Sequence, residues 1–136
     1  MKLLLTAPPK TGKTNVLKNL LSLLSKSSIK YDGCYVSEFL DDNNKRIGFK
    51  IIYLNGLRSE SILSSKISTF DNNIIFGKHN VNLDAIVEMI DYLNSIPPDI
   101  DLLIFDEIGK MQNLHLDFIT NISNILGKFN NIIATI

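Results

Sequence analysis

The chain has 136 residues, of which 45% are hydrophobic and 21% charged, so it is long enough and apolar enough to form one domain with a hydrophobic core. Its 14 basic residues balance its 14 acidic residues, which argues against a nucleic acid or an anionic membrane as partner. The one cysteine, Cys34, excludes an internal disulfide and indicates a reducing, cytoplasmic setting.

The chain starts with a short apolar run. This run stops at Leu5, well short of the roughly 7–15 residues of a secretory signal. No apolar stretch approaches the ~20 residues that a membrane span needs. We therefore predict a strand over Lys2–Thr6, nearly all apolar and buried on both faces.

After the first strand and the loop that follows it, leucines recur at helical spacing. This spacing predicts a helix from Lys13 to about Ser25, and then a polar connection to Gly33. Two β-rich segments, 34–40 and 46–54, flank Asp41–Lys45, whose Asp and Asn residues favour a tight turn. We predict a β-hairpin here, followed by a less regular segment that ends at Asn82.

The second half of the chain alternates helices and strands. We predict helices over Asp84–Ile96 and Leu116–Phe129, the first stopped by two prolines. Buried strands are predicted over Leu102–Phe105 and Asn131–Ile136. This alternation predicts an α/β fold with a mostly parallel central sheet, flanked by helices, with the hairpin after the first helix. Ligands of such sheets bind at the carboxyl ends of the strands.

A candidate phosphate-binding loop lies between the first strand and the first helix. Its sequence, APPKTGKT over Ala7–Thr14, follows the pattern G-x-x-x-x-G-K-[ST], with alanine in place of the first glycine. Gly12 permits the tight turn that aims backbone N–H groups at phosphate, Lys13 is expected at the β- and γ-phosphates, and Thr14 at Mg²⁺. The full predicted nucleotide-binding set is Ala7, Pro8, Pro9, Lys10, Thr11, Gly12, Lys13, Thr14 and Asn15.

Two adjacent carboxylates follow the strand that starts at Leu102. The layout is that of a Walker B strand, with Asp106 as the Mg²⁺ ligand and Glu107 as the base that activates water. The predicted catalytic residues are Glu107, Lys13 and Asp106. Because both motifs leave the carboxyl ends of strands, we expect them at the same rim of the sheet.

Several motifs in this order resemble the thermophile-type, or cancer-related, nucleoside-triphosphatase family of P-loop NTPases. They are TAPPKTGKTNVLKNL, GCYVSEF, KRIGFKIIYLNG, FGKHNV, DEIGKM and IIATI, and they span nearly the whole chain. The resemblance implies Mg²⁺-dependent hydrolysis of ATP, GTP and other nucleoside triphosphates to diphosphate and phosphate. It places Lys13, Thr14, Asp106 and Glu107 in the roles given above.

The chain departs from the family pattern at three places. Ala7 and Lys10 replace glycines of the loop, and a positive φ at Lys10 would cost about 1–2 kcal/mol. Gln112 stands where the family usually has glutamate. Family members also continue for some tens of residues past IIATI, with a strand and a helix that help to enclose the base. We therefore expect residues 1–136 to form a single P-loop domain without that C-terminal strand and helix.

Two other functions fit the same residues. A non-catalytic nucleotide-binding module is favoured by the altered loop and the missing tail. A small nucleoside or nucleotide kinase would have a similar loop, but no arginine-rich lid segment is evident. Arg46 and Arg58 are expected in solvent. The two histidines lack a ligand cluster, and Cys34 is expected to pack in the core.

Overall fold

The computed structural model describes residues 1–56 and 59–136. Within this part of the chain, the strands are Lys2–Leu5 (β1), Tyr31–Leu40 (β2), Arg46–Tyr53 (β3), Glu60–Ser65 (β4), Asn73–Phe76 (β5), His79–Asn82 (β6), Leu102–Asp106 (β7) and Ile132–Thr135 (β8). The α-helices are Lys13–Leu24 (α1), Leu83–Ser95 (α2) and Phe118–Gly127 (α3), and a short 3₁₀ helix covers Gln112–Leu114.

These strands form one mixed sheet in the order β1-β8-β7-β2-β3-β4-β6-β5. The α/β class is confirmed. The first four strands in that order pair in parallel, whereas β2, β3, β4, β6 and β5 pair antiparallel. Since β1 and β7 run in the same direction, the phosphate loop and the acidic pair leave the sheet at the same rim, as the sequence predicts.

The hairpin between β2 and β3 is confirmed, and the Asp41 side chain closes its turn. The Asp41 carboxylate accepts hydrogen bonds from the backbone N–H groups of Asn43 and Lys45, both at 2.9 Å. Asn44 adopts a φ of +59°, which asparagine tolerates better than most residues. The strand itself begins earlier than expected, because Tyr31–Gly33 pairs with β7 and is not part of a polar connection.

The predicted irregular middle of the chain is wrong. The segment contains β4, β5 and β6, which continue the sheet beyond β3. Its strand signal is weak because Ser61, Ser64 and Ser65 are polar, yet all three are buried against neighbouring strands. Pairing of β4 with β3 and β6 stabilises the extended conformation, which the local sequence favours only weakly. Leu57 and Arg58 lie outside the described residues, and so does the expectation for Arg58.

The hydrophobic core has two parts, which lie on the two faces of the sheet. On one face, Leu17 and Leu24 of α1 pack near Leu102, Ile104 and Ile133. On the other, α2 and α3 cover the alternate residues of the same strands, Leu103, Phe105, Ile132 and Ala134. Strand β7 is therefore buried along its whole length, which fixes the position of the acidic pair at its end.

The prediction that the first strand is buried on both faces is wrong. Leu3 and Leu4 of β1 are 42% and 53% exposed. β1 is the terminal strand of the sheet order and pairs with β8 on one side. Its apolar sequence is typical of a central strand, but burial depends on neighbours that the sequence does not reveal.

Candidate nucleotide-binding site

The loop between β1 and α1 has the backbone of an anion-binding turn. Gly12 is the N-cap of α1 with a φ of +94°, and no side chain caps the first N–H groups of the helix. These N–H groups and the positive end of the helix dipole are therefore free to bind phosphate. The Thr11 hydroxyl donates to the Pro8 carbonyl at 2.6 Å and closes the loop.

Lys10 also adopts a left-handed conformation, with a φ of +62°. The sequence predicts strain if Lys10 has a positive φ, and the structure shows that it does. A side chain at this φ costs about 1–2 kcal/mol relative to glycine.

Lys13, the first residue of α1, extends toward the end of β8. Its Nζ donates to the carbonyl of Ile136 at 2.5 Å. The nearby N–H of Ile108 donates to the carbonyl of Thr135 at 2.8 Å, which ties the segment after β7 to β8. The Lys13 charge also acts on the carboxylates of Asp106 and Glu107, so the ammonium group lies near the acidic pair.

Asp106 ends β7 and is 3% exposed. The Thr135 hydroxyl donates a hydrogen bond to its carboxylate, and Thr14 forms a further hydrogen bond with it. Burial raises the pKa of Asp106 above its ordinary value, although these hydrogen bonds and the charge of Lys13 oppose the shift. A bound cation would favour the charged carboxylate.

Glu107 follows Asp106 and is half-buried. Burial and the neighbouring charge of Asp106 raise the pKa of Glu107, and Lys13 opposes the shift. A carboxylate with a raised pKa is a better proton acceptor than one in solvent. Glu107 therefore has the electrostatic environment of a general base.

A cavity of about 840 Å³ brings the two motifs together. We refer to it as the phosphate cavity. Its lining includes seven of the predicted loop residues together with both carboxylates, namely Pro9, Lys10, Thr11, Gly12, Lys13, Thr14, Asn15, Asp106 and Glu107. Ala7 and Pro8 lie outside this lining; Pro8 instead accepts the hydrogen bond that closes the loop.

The opposite wall of the phosphate cavity comes from the β2–β3 hairpin, which the site prediction omitted. It includes Val36, Glu38, Arg46 and Phe49. Arg46, expected in solvent, lies 5.2 Å from the centre of the Phe49 ring, and its Nη1 is 3.5 Å from Glu38 Oε1. The turn residues indicate the hairpin, but no residue pattern indicates how far the hairpin lies from the phosphate loop.

Thr135 is a second residue that the site prediction missed. It is fully buried at the end of β8, beside Asp106. Its signal in the sequence is a single polar residue near the end of an otherwise apolar strand. Such a residue needs a buried hydrogen-bond partner, and here the partner is the carboxylate.

Cys34 and His79 pack against other side chains and do not line the phosphate cavity. Cys34 is fully buried in the core, and burial together with Asp106 and Asp32 raises the pKa of its thiol, so it is not activated as a nucleophile. The His79 ring stacks on Phe49 at 5.5 Å. Within residues 1–56 and 59–136, no three His, Cys, Asp or Glu side chains cluster as a metal site.

Mg²⁺ nevertheless fits the oxygen donors that are present. The Thr14 hydroxyl and the Asp106 carboxylate lie in hydrogen-bonding contact on the wall of the phosphate cavity. Mg²⁺ prefers oxygen ligands in proteins and keeps several water and phosphate ligands, so it does not need a cluster of side chains. One hydroxyl and one buried carboxylate are a sufficient protein contribution when a triphosphate supplies the rest.

The α/β sheet, the loop at the helix N-terminus and the paired acids define a P-loop nucleotide-binding protein. A family model described as NTPase matches residues 2–136. The chain belongs to this family of nucleoside-triphosphatases.

Individual relatives agree with the family match. The chain is 36% identical to nucleoside-triphosphatase THEP1 of Thermotoga petrophila, over 100% of this chain and 72% of the relative. It is 30% identical to the cancer-related nucleoside-triphosphatase homolog of mouse, over 90% of this chain and 67% of the relative. The solved structure of THEP1 from Aquifex aeolicus superposes with a TM-score of 0.75 at 27% identity, over 99% of this chain and 76% of that one.

No helix in the described part of the chain is long and apolar enough to span a bilayer.

Proposed function

We propose that this chain hydrolyses Mg²⁺-bound nucleoside triphosphates, among them ATP and GTP, to diphosphate and phosphate. The observation that carries the proposal is the single cavity that Lys13, Thr14, Asp106 and Glu107 line together. Phosphoryl transfer to water requires groups that bind the phosphates and a carboxylate that accepts a proton. The phosphate cavity contains both.

The triphosphate is held by the loop. The uncapped N–H groups at the start of α1 and the Lys13 ammonium group surround the space where the β- and γ-phosphates bind. Lys13 exchanges its hydrogen bond with the Ile136 carbonyl for the phosphate oxygens. A triphosphate offers the Lys13 ammonium group several charged acceptor oxygens, which favours this exchange.

Thr14 and Asp106 are the residues that would hold Mg²⁺. When bound, the ion neutralises charge on the β- and γ-phosphates. Thr135 positions the Asp106 carboxylate through the hydroxyl that donates to it.

Glu107 accepts the proton of the attacking water. The water oxygen forms a bond to the γ-phosphorus, the bond from phosphorus to the β-phosphate oxygen breaks, and the electron pair leaves with the diphosphate. The proton moves to the Glu107 carboxylate, whose raised pKa makes it a suitable acceptor.

Arg46 is the residue best placed to stabilise negative charge from the hairpin side. It lines the phosphate cavity. Its Nη1 lies 3.5 Å from Glu38 Oε1, and an ion pair of this length at a partly exposed site is weak. We propose that the guanidinium group turns from Glu38 to the γ-phosphate when nucleotide binds, because phosphate offers it bidentate hydrogen bonds.

The composition of the chain bears on the partners and the location of the enzyme. We propose that residues 1–136 act as one domain, on free nucleotides, without a nucleic acid or membrane partner. The balance of 14 basic and 14 acidic residues supports this view. Cys34 is a free thiol, which is compatible with a cytoplasmic location.

Phosphate release from Mg-ATP and Mg-GTP tests the proposal, with the parent chain compared with Glu107→Gln. We expect release by the parent and its collapse in the variant, with nucleotide binding retained. Glu60→Gln is the matched control, because Glu60 pairs with Lys50 outside the phosphate cavity. A parent chain that binds nucleotide and releases no phosphate would contradict the proposal.

A further inference from the structure

Three side chains stack on one another at the hairpin wall of the phosphate cavity. The His79 ring stacks on the Phe49 ring, with ring centres 5.5 Å apart and an angle of 29° between the ring planes. The Arg46 guanidinium carbon lies 5.2 Å from the centre of the same Phe49 ring. Arg46 and Phe49 line the phosphate cavity, whereas His79 does not. We call these three side chains the arginine stack.

The backbone around Phe49 determines where its ring lies. The register between β3 and β4 shifts between Phe49 and Lys50, and an irregularity of this kind turns a side chain away from the regular direction of its strand. Gly48 lets the two strands approach closely at this point, because a Cβ at residue 48 would overlap the Ser64 carbonyl group. The place of the Phe49 ring on the cavity wall therefore depends on the pairing of β3 with β4.

His79 belongs to a different strand and reaches the stack from outside the cavity. It is half-buried in β6, and its Nδ1 lies 3.3 Å from the hydroxyl oxygen of Ser64. Ser64 is fully buried on β4, where it is the pairing partner of Phe49. The same serine thus adjoins both rings, through the backbone of one and the side chain of the other. The contact with Ser64 holds the His79 ring against Phe49.

The charges around His79 favour its neutral form. Burial lowers the pKa of His79, and the charges of Lys66, which follows β4, and of Arg46 in β3 lower it further. On its own strand Lys78 precedes it, and Phe76 of β5 is its pairing partner. Electrostatic coupling is mutual, so a proton on His79 would repel the Arg46 guanidinium group. The arginine stack thus suits a neutral histidine beside a charged arginine.

We propose that His79 is a positioning residue for triphosphate hydrolysis and that it acts through the Phe49 ring to hold the Arg46 guanidinium group at the wall of the phosphate cavity. The inference rests on the proposed function, in which Arg46 stabilises negative charge at the γ-phosphate. The ion pair with Glu38 is too weak to hold the guanidinium group by itself. A ring beneath this group limits its orientations, so less conformational entropy is lost when it turns to phosphate. Protonated His79 repels Arg46 and weakens the support.

Phosphate release from saturating Mg-ATP by the full chain tests the proposal. We expect His79→Ala to lower kcat about tenfold, and His79→Phe, which keeps a ring on Phe49, to retain most of the parent kcat. In an Arg46→Ala background, His79→Ala should have no further effect, because the group that it positions is gone. Asn80→Ala is the matched control: it removes a hydrogen bond with Asn73 between the same two strands and should leave kcat unchanged.

The pH dependence separates a positioning role from a merely structural one. As the pH falls from about 8 to about 5, the parent kcat should fall about twofold or more beyond that of His79→Phe, which has no ring to protonate. Both chains contain Asp106 and Glu107, so the ratio of their kcat values cancels the titration of these carboxylates. In the Arg46→Ala background this ratio should not change with pH.

Proton NMR of the imidazole C–H groups gives a readout that does not depend on hydrolysis. Arg46→Ala removes a positive charge from the arginine stack, so the pKa of His79 should rise in this variant. Asn80→Ala, which changes no charge, should leave it where it is in the parent. A pKa of His79 that is the same with and without Arg46 would mean that the two groups are not coupled and would overturn the inference.

Failure of this inference and failure of the proposed function give different results. Equal losses of kcat on His79→Ala in the two backgrounds would show a structural role and overturn the inference, while hydrolysis stands. A ratio of parent to His79→Phe kcat that is independent of pH would overturn it too. A parent chain that binds nucleotide and releases no phosphate would contradict the proposed function, and the positioning role with it.

Discussion

Strands β1 and β7 have similar apolar sequences and opposite environments. Both lead directly into the site, yet Leu4 of β1 is 53% exposed while Phe105 of β7 is fully buried. β7 lies between β8 and β2 and is covered by helices on both faces, whereas β1 ends the sheet order. The difference shows that position in the sheet, and not strand sequence, decides how deeply each strand is buried.

The largest effects are expected from changing Glu107, which follows β7, and Lys13, which lies in the loop-to-helix segment after β1. Glu107→Gln, after β7, should lower kcat by about 10²–10⁴-fold with little change in nucleotide affinity, because it removes the proton acceptor alone. Lys13→Ala, after β1, should weaken nucleotide binding by about 10–100-fold, because it removes hydrogen bonds to phosphate. Steady-state phosphate release and equilibrium binding of a fluorescent nucleotide measure the two effects. Equal losses of affinity in both variants would contradict the assigned roles.

The two strands should also differ in what they contribute to stability. Phe105→Ala removes a fully buried ring and should lower the free energy of unfolding by about 3–5 kcal/mol. Leu4→Ala, at a side chain of which half is exposed, should cost less than about 1 kcal/mol. Urea denaturation followed by circular dichroism gives both values. Similar costs at the two sites would mean that β1 is buried to the same extent in solution.

The hairpin residue Arg46 extends the comparison to a third strand, β3. If its guanidinium group stabilises the γ-phosphate, Arg46→Ala should lower kcat by about 10²-fold, as for the loss of one charge-stabilising donor. Glu38→Gln, which removes only the ion-pair partner, should not lower kcat. Phosphate release at saturating nucleotide measures both. An unchanged kcat in Arg46→Ala would restrict the site to the two motifs after β1 and β7.

The smallest predicted effect concerns strain in the loop after β1. Lys10→Gly should give a chain about 1 kcal/mol more stable than Lys10→Ala, because only glycine adopts the +62° φ without a penalty. Both variants remove the same charge, so the difference reports the backbone alone. Thermal unfolding without nucleotide measures it. An alanine variant as stable as the glycine variant would show that this residue relaxes to a negative φ in solution.

Most of the candidate site could be predicted from the sequence because its motifs are local. Gly12, Lys13 and Thr14 are adjacent in the chain, and so are Asp106 and Glu107, so spacing alone indicates their chemistry. Residues that act from a distance carry no such signal. Arg46 reaches the phosphate cavity only because β2 pairs with β7 and turns back into β3.

The sequence by itself determined the α/β class, the hairpin, the three helices of the described chain to within a few residues, and the two motifs that we propose bind and cleave a triphosphate. These depend on short-range patterns: apolar periodicity, turn residues and adjacent functional groups. Only the tertiary structure decided that β1 is exposed, that the serine-containing segment Glu60–Ser65 is a strand, and that Arg46 of the hairpin lines the same cavity as Lys13 and Glu107. Each of these depends on which strands become neighbours, and that is set by the free energy of packing the whole sheet between its helices.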